Sequence, residues 1–291
     1  MSSEDVEKPI AKRWQLAAEL RSSRELAGMS GRELANRIGI SQSKVSRIES
    51  GVKVPSLPEV EAWMHAVGAS PDRRDLLVAL TESVFTEVHD WQVALRARGH
   101  LQGHVGEREA WARVVRTYQN SVVPGLLQTA EYARRVLGMS QVPYPPNDLA
   151  AAVAGRLQRQ LAMFDVDRQF DFLITEAALR WRVGPPNMLV AQLDRIASLC
   201  TLENVSIGLI PLSATATTPL SHGFIIYEPD DGDHDPYVTV QTIHANLTVR
   251  GVDRMGLYQE RWKLLGQMAV FNDEARALLA DLVTELRTSV T

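Results

Sequence analysis

Through the first 80 positions the apolar residues recur mostly at helical spacing. Leu16, Leu20 and Ala27 share one face with Ala17 beside them, which predicts a helix over 12–27 that Gly28 ends. Ser30, with Glu33 three residues on, makes a capping-box pattern. Leu34, Ala35 and Ile38 are the stripe of a short helix that Gly39 stops. Ile40 plugs a tight turn and Ser41 caps the next helix, over about 42–49, whose buried stripe is Val45 and Ile48. Gly51 stops it. Pro55 and Pro58 bracket the entry to a fourth helix carrying Val60, Trp63, Met64 and Val67, closed by Gly68. Ser70-Pro71-Asp72 opens a fifth with Leu76, Leu77 and Leu80. The polar residues 1–10 read as a disordered tail.

The pattern then lengthens. Residues 75–120 read as helical, interrupted by a loop at Gly99–Gly106, with Trp111, Val114, Val115 and Tyr118 striping a helix over 107–118. A domain junction is expected near 80–90. Pro124-Gly125 signals a turn, Thr129 or its neighbour leads a helix through Leu137, and Pro143, Pro145 and Pro146 break it. Another helix is expected over 150–164. From Gln169 the period shifts towards two, predicting strands at 170–175, 205–212, 224–227, 237–241 and 246–250. A helix at 189–202 and two at 252–269 and 272–288 complete the set. This is a mainly α chain with an α+β second part and a small late sheet, divided as 1–10 tail, 11–82 first domain and 83–291 second domain.

Composition is that of an ordinary globular protein: 291 residues, 45% hydrophobic and 23% charged, enough for a sizeable core in about two domains. No run approaches the roughly 18 apolar residues of a membrane helix, and the acidic N-terminus is no signal peptide. The single cysteine, Cys200, excludes an internal disulfide framework, fits a reducing cytoplasm and is read as core packing. Charge is distributed unevenly. Residues 11–56 hold nine Lys and Arg against four Glu, a local +5, which leaves −9 for the rest of a chain whose net charge is −4. A small basic module attached to a larger acidic body fits local nucleic-acid binding.

Small Ala35, turn Gly39, then Val45 and Ile48 have the spacing of a helix-turn-helix. The segment Ser41-Gln-Ser-Lys-Val-Ser-Arg-Ile-Glu-Ser-Gly51 resembles the recognition segment of the Xre family of Cro/C1-type regulators. That resemblance implies a five-helix, lambda-repressor-like domain whose third helix enters the major groove. It further implies base reading by Gln42 and Arg47, with Ser43, Lys44 and Ser46 shared between bases and phosphates. Ser30 and Gly31 at a helix N-terminus, with Arg32 and Lys53, are phosphate candidates, and Arg37 a weaker one. Arg24 and Glu49 match positions that form a structural ion pair in related repressors. A homodimer on a two-fold double-stranded DNA operator is expected, because one module of this size holds DNA weakly.

The second part extends the resemblance. Val123-Pro-Gly-Leu-Leu-Gln-Thr-Ala-Glu-Tyr-Ala133, Gly155-Arg-Leu-Gln-Arg-Gln160, Leu173-Ile-Thr-Glu-Ala-Ala-Leu-Arg180 and Val205-Ser-Ile-Gly-Leu-Ile-Pro211 are similar to the second domain of WhiJ-like actinobacterial regulators. The resemblance implies docking of a small acidic protein partner; a small-molecule effector pocket and a plain dimerisation body are the alternatives. Trp91, Trp111, Tyr118, Tyr132 and Trp181 are candidate pocket residues, with core packing the competing reading. Catalytic signals are poor: no phosphate loop, no Gly-x-Ser-x-Gly and no His-Glu-x-x-His. His100 and His104 lack a third ligand, and Asp230–Asp235 lacks the spacing of a calcium loop and reads as a solvated hairpin turn. No cofactor, no metal and no enzyme activity are expected.

Overall fold

The computed structural model describes residues 4–90, 112–140, 144, 146–229, 235–243 and 245–288. Its contacts divide the chain into two units. One comprises Met1–His89, Asp231–Tyr237 and Leu247–Met255; the other comprises Asp90–Asp230, Val238–Asn246 and Gly256–Thr291.

The first unit is built on five helices: α1 (Glu4–Leu26), α2 (Gly31–Ile38), α3 (Gln42–Glu49), α4 (Leu57–Ala66) and α5 (Pro71–Phe85). Helix α1 begins at Glu4 and not at residue 12, since polar composition alone does not end a helix. Its buried face is Leu16, Ala17 and Leu20, whereas Ala27 lies past its end and is exposed. These residues pack with Leu34, Ala35, Val45, Ile48, Val60, Trp63, Met64 and Leu77 into one core. The spacing expected from the sequence thus closes as expected. Ser30 and Ser56 each make a capping box with the glutamate three residues on. Gly39 sits at φ 72°, the left-handed turn that ends α2, where a β-carbon would be strained.

The second part is α+β. The strands after α5 are β1 (Thr86–Asp90), β2 (Ala112–Gln119), β3 (Gln169–Thr175), β4 (Val205–Ile210), β5 (Phe224–Pro229), β6 (Tyr237–Gln241) and β7 (Ala245–Val249), and within the second unit the sheet order is β6-β5-β2-β3-β4. Strand β2 runs parallel to β3, β3 parallel to β4, and β2 antiparallel to β5. Two stretches expected to be helical are therefore strands, β1 and β2, and the sheet is not confined to the end of the chain. The physical reason is clear in β2. Val114, Val115 and Tyr118 have the spacing of a helical stripe, but they and Thr117 are β-branched or aromatic. With neighbours on both edges, β2 buries residues on both faces and loses the alternation that marks a strand. The Gly99–Gly106 loop, with His100 and His104, lies outside the described residues.

The remaining helices are α6 (Ala130–Gly138), α7 (Pro146–Gln160), α8 (Glu176–Arg180), α9 (Pro186–Leu199), α10 (Val252–Gly266) and α11 (Asn272–Thr288), with 3-10 turns at Gly125–Leu127 and Leu161–Phe164. Thr129 caps α6 by accepting from the Tyr132 N–H. Register places Thr117, Phe172 and Ile225 on one face of the sheet, and Tyr118, Leu173 and Phe224 on the other. Tyr258 of α10 stands edge-on to Phe224, at 5.2 Å between ring centroids. No helix among the described residues is long and apolar enough to cross a membrane.

Candidate nucleic-acid interface

Helix α3 buries Val45 and Ile48, and its polar residues line the remaining face. Gln42, Ser43 and Ser46 are exposed, and Arg47 is half-buried one turn after Ser43. Ser41 caps the helix by accepting from the Lys44 N–H at 3.1 Å, and its hydroxyl also meets that of Ser43 at 3.0 Å. The first turn of α3 holds no acidic residue. The end that a recognition helix presents to bases is therefore polar and carries no repelling charge of its own.

Lys44 is held differently from its neighbours. Its ammonium is half-buried and ion-paired to Glu59 on α4. Burial pushes the Glu59 carboxyl up, but hydrogen bonds from Lys44 and the Ser56 backbone outweigh it and hold the group below its usual value. Lys53 is likewise paired, to Asp235 at 3.1 Å, while the second carboxylate oxygen accepts from the Val54 N–H at 3.2 Å. Asp235 belongs to the segment between neighbouring strands β5 and β6, of which residues 230–234 lie outside the described residues.

At the start of α2 the Glu33 carboxylate accepts from the Ser30 N–H at 2.7 Å, which holds that carboxyl below its usual range. The Ser30 hydroxyl in turn accepts from the Glu33 N–H at 3.2 Å. The N–H groups of Gly31 and Arg32 are those that a helix N-terminus leaves to an anion. Arg32 is exposed. Arg37 donates to the Ala66 carbonyl at 3.0 Å and so ties α2 to the end of α4.

Arg24 bridges α1 to the end of α3. Its Nε lies 2.5 Å from Glu49 Oε1 and its Nη2 2.9 Å from Glu49 Oε2, a two-point pair with both side chains 12% exposed. A third donor, Nη1, reaches the Met29 carbonyl at 2.7 Å. The hydrogen bond to Glu49 is the main reason the guanidinium is pushed above its ordinary value. Geometry of this kind fixes the angle at which α3 is presented, and leaves neither side chain for DNA.

Of the aromatic residues expected to line a pocket, Tyr118, Tyr132 and Trp181 lie among the described residues. Trp91 and Trp111 lie outside the described residues. Tyr118 is fully buried beside Phe224, and burial pushes its hydroxyl up to about 12. The Tyr132 hydroxyl is buried and accepts from the Val123 N–H at 3.3 Å, a core role. Trp181 is 46% exposed. Cys200 is partly buried, and burial raises its thiol, the opposite of an activated nucleophile. Among the described residues no group of three His, Cys, Asp or Glu is placed to hold a metal.

Comparison with known families agrees with this division. A helix-turn-helix domain model matches residues 15–77, the stretch that contains α2, α3 and their supporting helices. A domain of unknown function, DUF5753, matches residues 102–281. No curated protein matches the chain. Since the second match spans more than half of the sequence, the chain belongs to the DUF5753 family, and it carries a helix-turn-helix domain ahead of that region.

Proposed function

We propose that this protein is a sequence-specific transcriptional regulator of the Xre type, which reads an operator with α3 and is controlled through its second unit. The observation that carries the reading is the outward face of α3: Gln42, Ser43 and Ser46 exposed above a buried Val45 and Ile48, in a segment whose local charge is +5. Gln42 pairs with adenine N6 and N7, and Arg47 with guanine O6 and N7; Ser43, Lys44 and Ser46 complete the contact. Ser30, Gly31, Arg32 and Lys53 are the backbone contacts, with Lys44 and Lys53 first leaving Glu59 and Asp235. Two copies on a two-fold operator supply the affinity that one small module lacks, and the protein works in the cytoplasm alongside its DNA.

For the second unit, WhiJ-like in sequence, docking of a small acidic protein partner, binding of a small effector and a plain dimerisation body are the competing roles. A cavity between α6, α7 and the sheet favours the effector. An enzyme role is not part of this reading, and the one cysteine, Cys200, has a thiol that burial raises.

The reading is tested with purified full-length protein and labelled DNA from upstream of its own coding sequence. We expect a discrete shifted complex at low salt, with affinity falling linearly in log–log form as salt rises. Equal affinity for that fragment and for unrelated DNA of the same length would defeat the proposal.

A further inference from the structure

We propose that the Lys53 ammonium and the Val54 N–H form a two-donor site for one DNA phosphate, and that Asp235 occupies it in the free protein as a built-in competitor. The inference rests on the DNA-reading role proposed above and adds a regulatory contact to it: α3 engages its operator fully only after this carboxylate has left.

The two donors stand on the loop that follows α3, and that loop is held from two sides. The Gly51 N–H donates to the Ile48 carbonyl and the Lys53 N–H to the Arg47 carbonyl, each at 3.0 Å, so the loop folds back on the last turn of α3. From α1, Arg13 donates to the Val52 carbonyl. The Trp14 ring lies over Gly51, where a β-carbon would come within 3.3 Å of it. Held in this way, the loop leaves one main-chain donor over. Among the described residues no backbone carbonyl accepts from the Val54 N–H; its acceptor is the Asp235 carboxylate. A covered main-chain N–H requires an acceptor, and beside a lysine the acceptor it selects is an anion. Lysines and main-chain N–H groups are also the donors that position proteins on the DNA backbone.

Asp235 meets this site as a phosphate would. One carboxylate oxygen lies 3.1 Å from Lys53 Nζ and the other accepts from the Val54 N–H at 3.2 Å. A phosphodiester offers the same single charge and two free oxygens, so the two anions exclude one another. The Lys53 and Asp235 side chains are 26% and 19% exposed, and solvent screens their attraction only in part. The carboxylate is also pre-positioned. Pro236 restricts the residue before it to extended backbone, and the next side chain, Tyr237, is buried with the Arg250 guanidinium 4.8 Å over its ring. Lys44 and its partner Glu59 differ in origin, because Glu59 is fixed by the Ser56 capping box within the helical domain. Asp235 arrives 181 residues after Val54. It belongs to the first unit, but the chain up to Asp230 and from Val238 belongs to the second. Through that continuity a change in the second unit can draw the carboxylate off. By linkage, whatever favours the released state tightens DNA binding, and DNA favours release by the same factor.

The test uses the full chain, the upstream DNA fragment at low salt, and amide hydrogen exchange at Val54. Asp235→Ala removes both contacts and should tighten DNA binding roughly three- to tenfold. Asp235→Asn, which keeps an acceptor for Val54 and so supports the loop, should give a smaller gain. Glu61→Ala removes an exposed charge from α4 in the same unit, and should change affinity by less than about twofold. In a Lys53→Gln background, Asp235→Ala should keep only the part of its gain that Val54 supplies. The Val54 amide should exchange slowly in the parent, faster in Asp235→Ala, and slowly again once DNA is added to that variant. The proposal is overturned if Asp235→Ala binds no more tightly than Glu61→Ala, or if DNA leaves the Val54 amide of Asp235→Ala exchanging as fast as before. Parent protein that binds the fragment, with no gain in either Asp235 variant, would defeat this inference and leave the regulator reading standing. Failure of the parent and of every variant to bind would defeat both.

Discussion

Arg24 and Glu49, 25 residues apart, join α1 to the end of α3 through contacts of 2.5 and 2.9 Å between 12%-exposed side chains. Removing one partner leaves the other charge half-buried and unpaired, which costs about 1–3 kcal/mol. Arg24→Ala and Glu49→Ala should each lower the urea midpoint of the first unit. The pair Arg24→Met with Glu49→Leu should cost clearly less than the two alanine changes summed. Strictly additive costs would mean that the two side chains do not act as a pair.

Acid should loosen the same unit through Glu59. Its carboxyl is held below the usual 4.5, because the Lys44 and Ser56 hydrogen bonds outweigh burial. A carboxyl with a lowered folded-state value contributes stability that is complete above 4.5 and is lost as pH falls through the lowered value. Unfolding followed between pH 6 and 3 should therefore be flat at first and then decline. Glu59→Gln should flatten the acid limb, and an unchanged limb in that variant would remove Glu59 from the account.

Lys53 is a phosphate candidate only if Asp235 releases it. In Asp235→Asn the amide oxygen still accepts from the Val54 N–H, but the competing charge is gone. DNA affinity at low salt should rise, with Lys53 free to engage without first giving up an ion pair. In a Lys53→Gln background the same change should have no effect, and the slope of log affinity against log salt should be shallower by up to about 0.9. A rise that persists without Lys53 would place its cause elsewhere.

In the second unit, Gly208 is required by packing. A β-carbon there would lie 2.5 Å from the Phe271 ring and 2.7 Å from the Leu173 side chain. Gly208→Ala should destabilise by about 1–3 kcal/mol in thermal or urea unfolding. Adding Phe271→Leu should return part of the loss; no recovery would indicate that backbone, not the ring, sets the limit.

The first unit was legible in the sequence because its signals are local. Ser30 with Glu33, Gly39 at the turn and the Val45–Ile48 stripe each specify structure within a few residues. The second unit was less so. In β2, Val114, Val115 and Tyr118 imitate a helical stripe, and only pairing with β3 and β5, from 50 to over 100 residues away, decides the matter. The partners of the two lysines escaped for the same reason. Glu59 announces itself only as the end of a Ser56 capping box, and Asp235 is distant from Lys53 in the chain. The bond from Arg156 to Gln128 was invisible because the two stand 28 residues apart, in two separate family-like segments. A signal was present in the Pro124-Gly125 turn followed by an amide, but its meaning depends on Gln160 reaching back.

The central claim is that α3 reads sequence. It is tested most directly by measuring the ratio of affinities for the shifted upstream fragment and for a scrambled one, at fixed salt, in the parent protein and in Gln42→Ala with Arg47→Ala. Each lost base contact is worth about 1–3 kcal/mol of discrimination, so the double variant should lose roughly tenfold or more of the ratio while keeping most of its non-specific affinity. An unchanged ratio in a folded double variant would contradict the account.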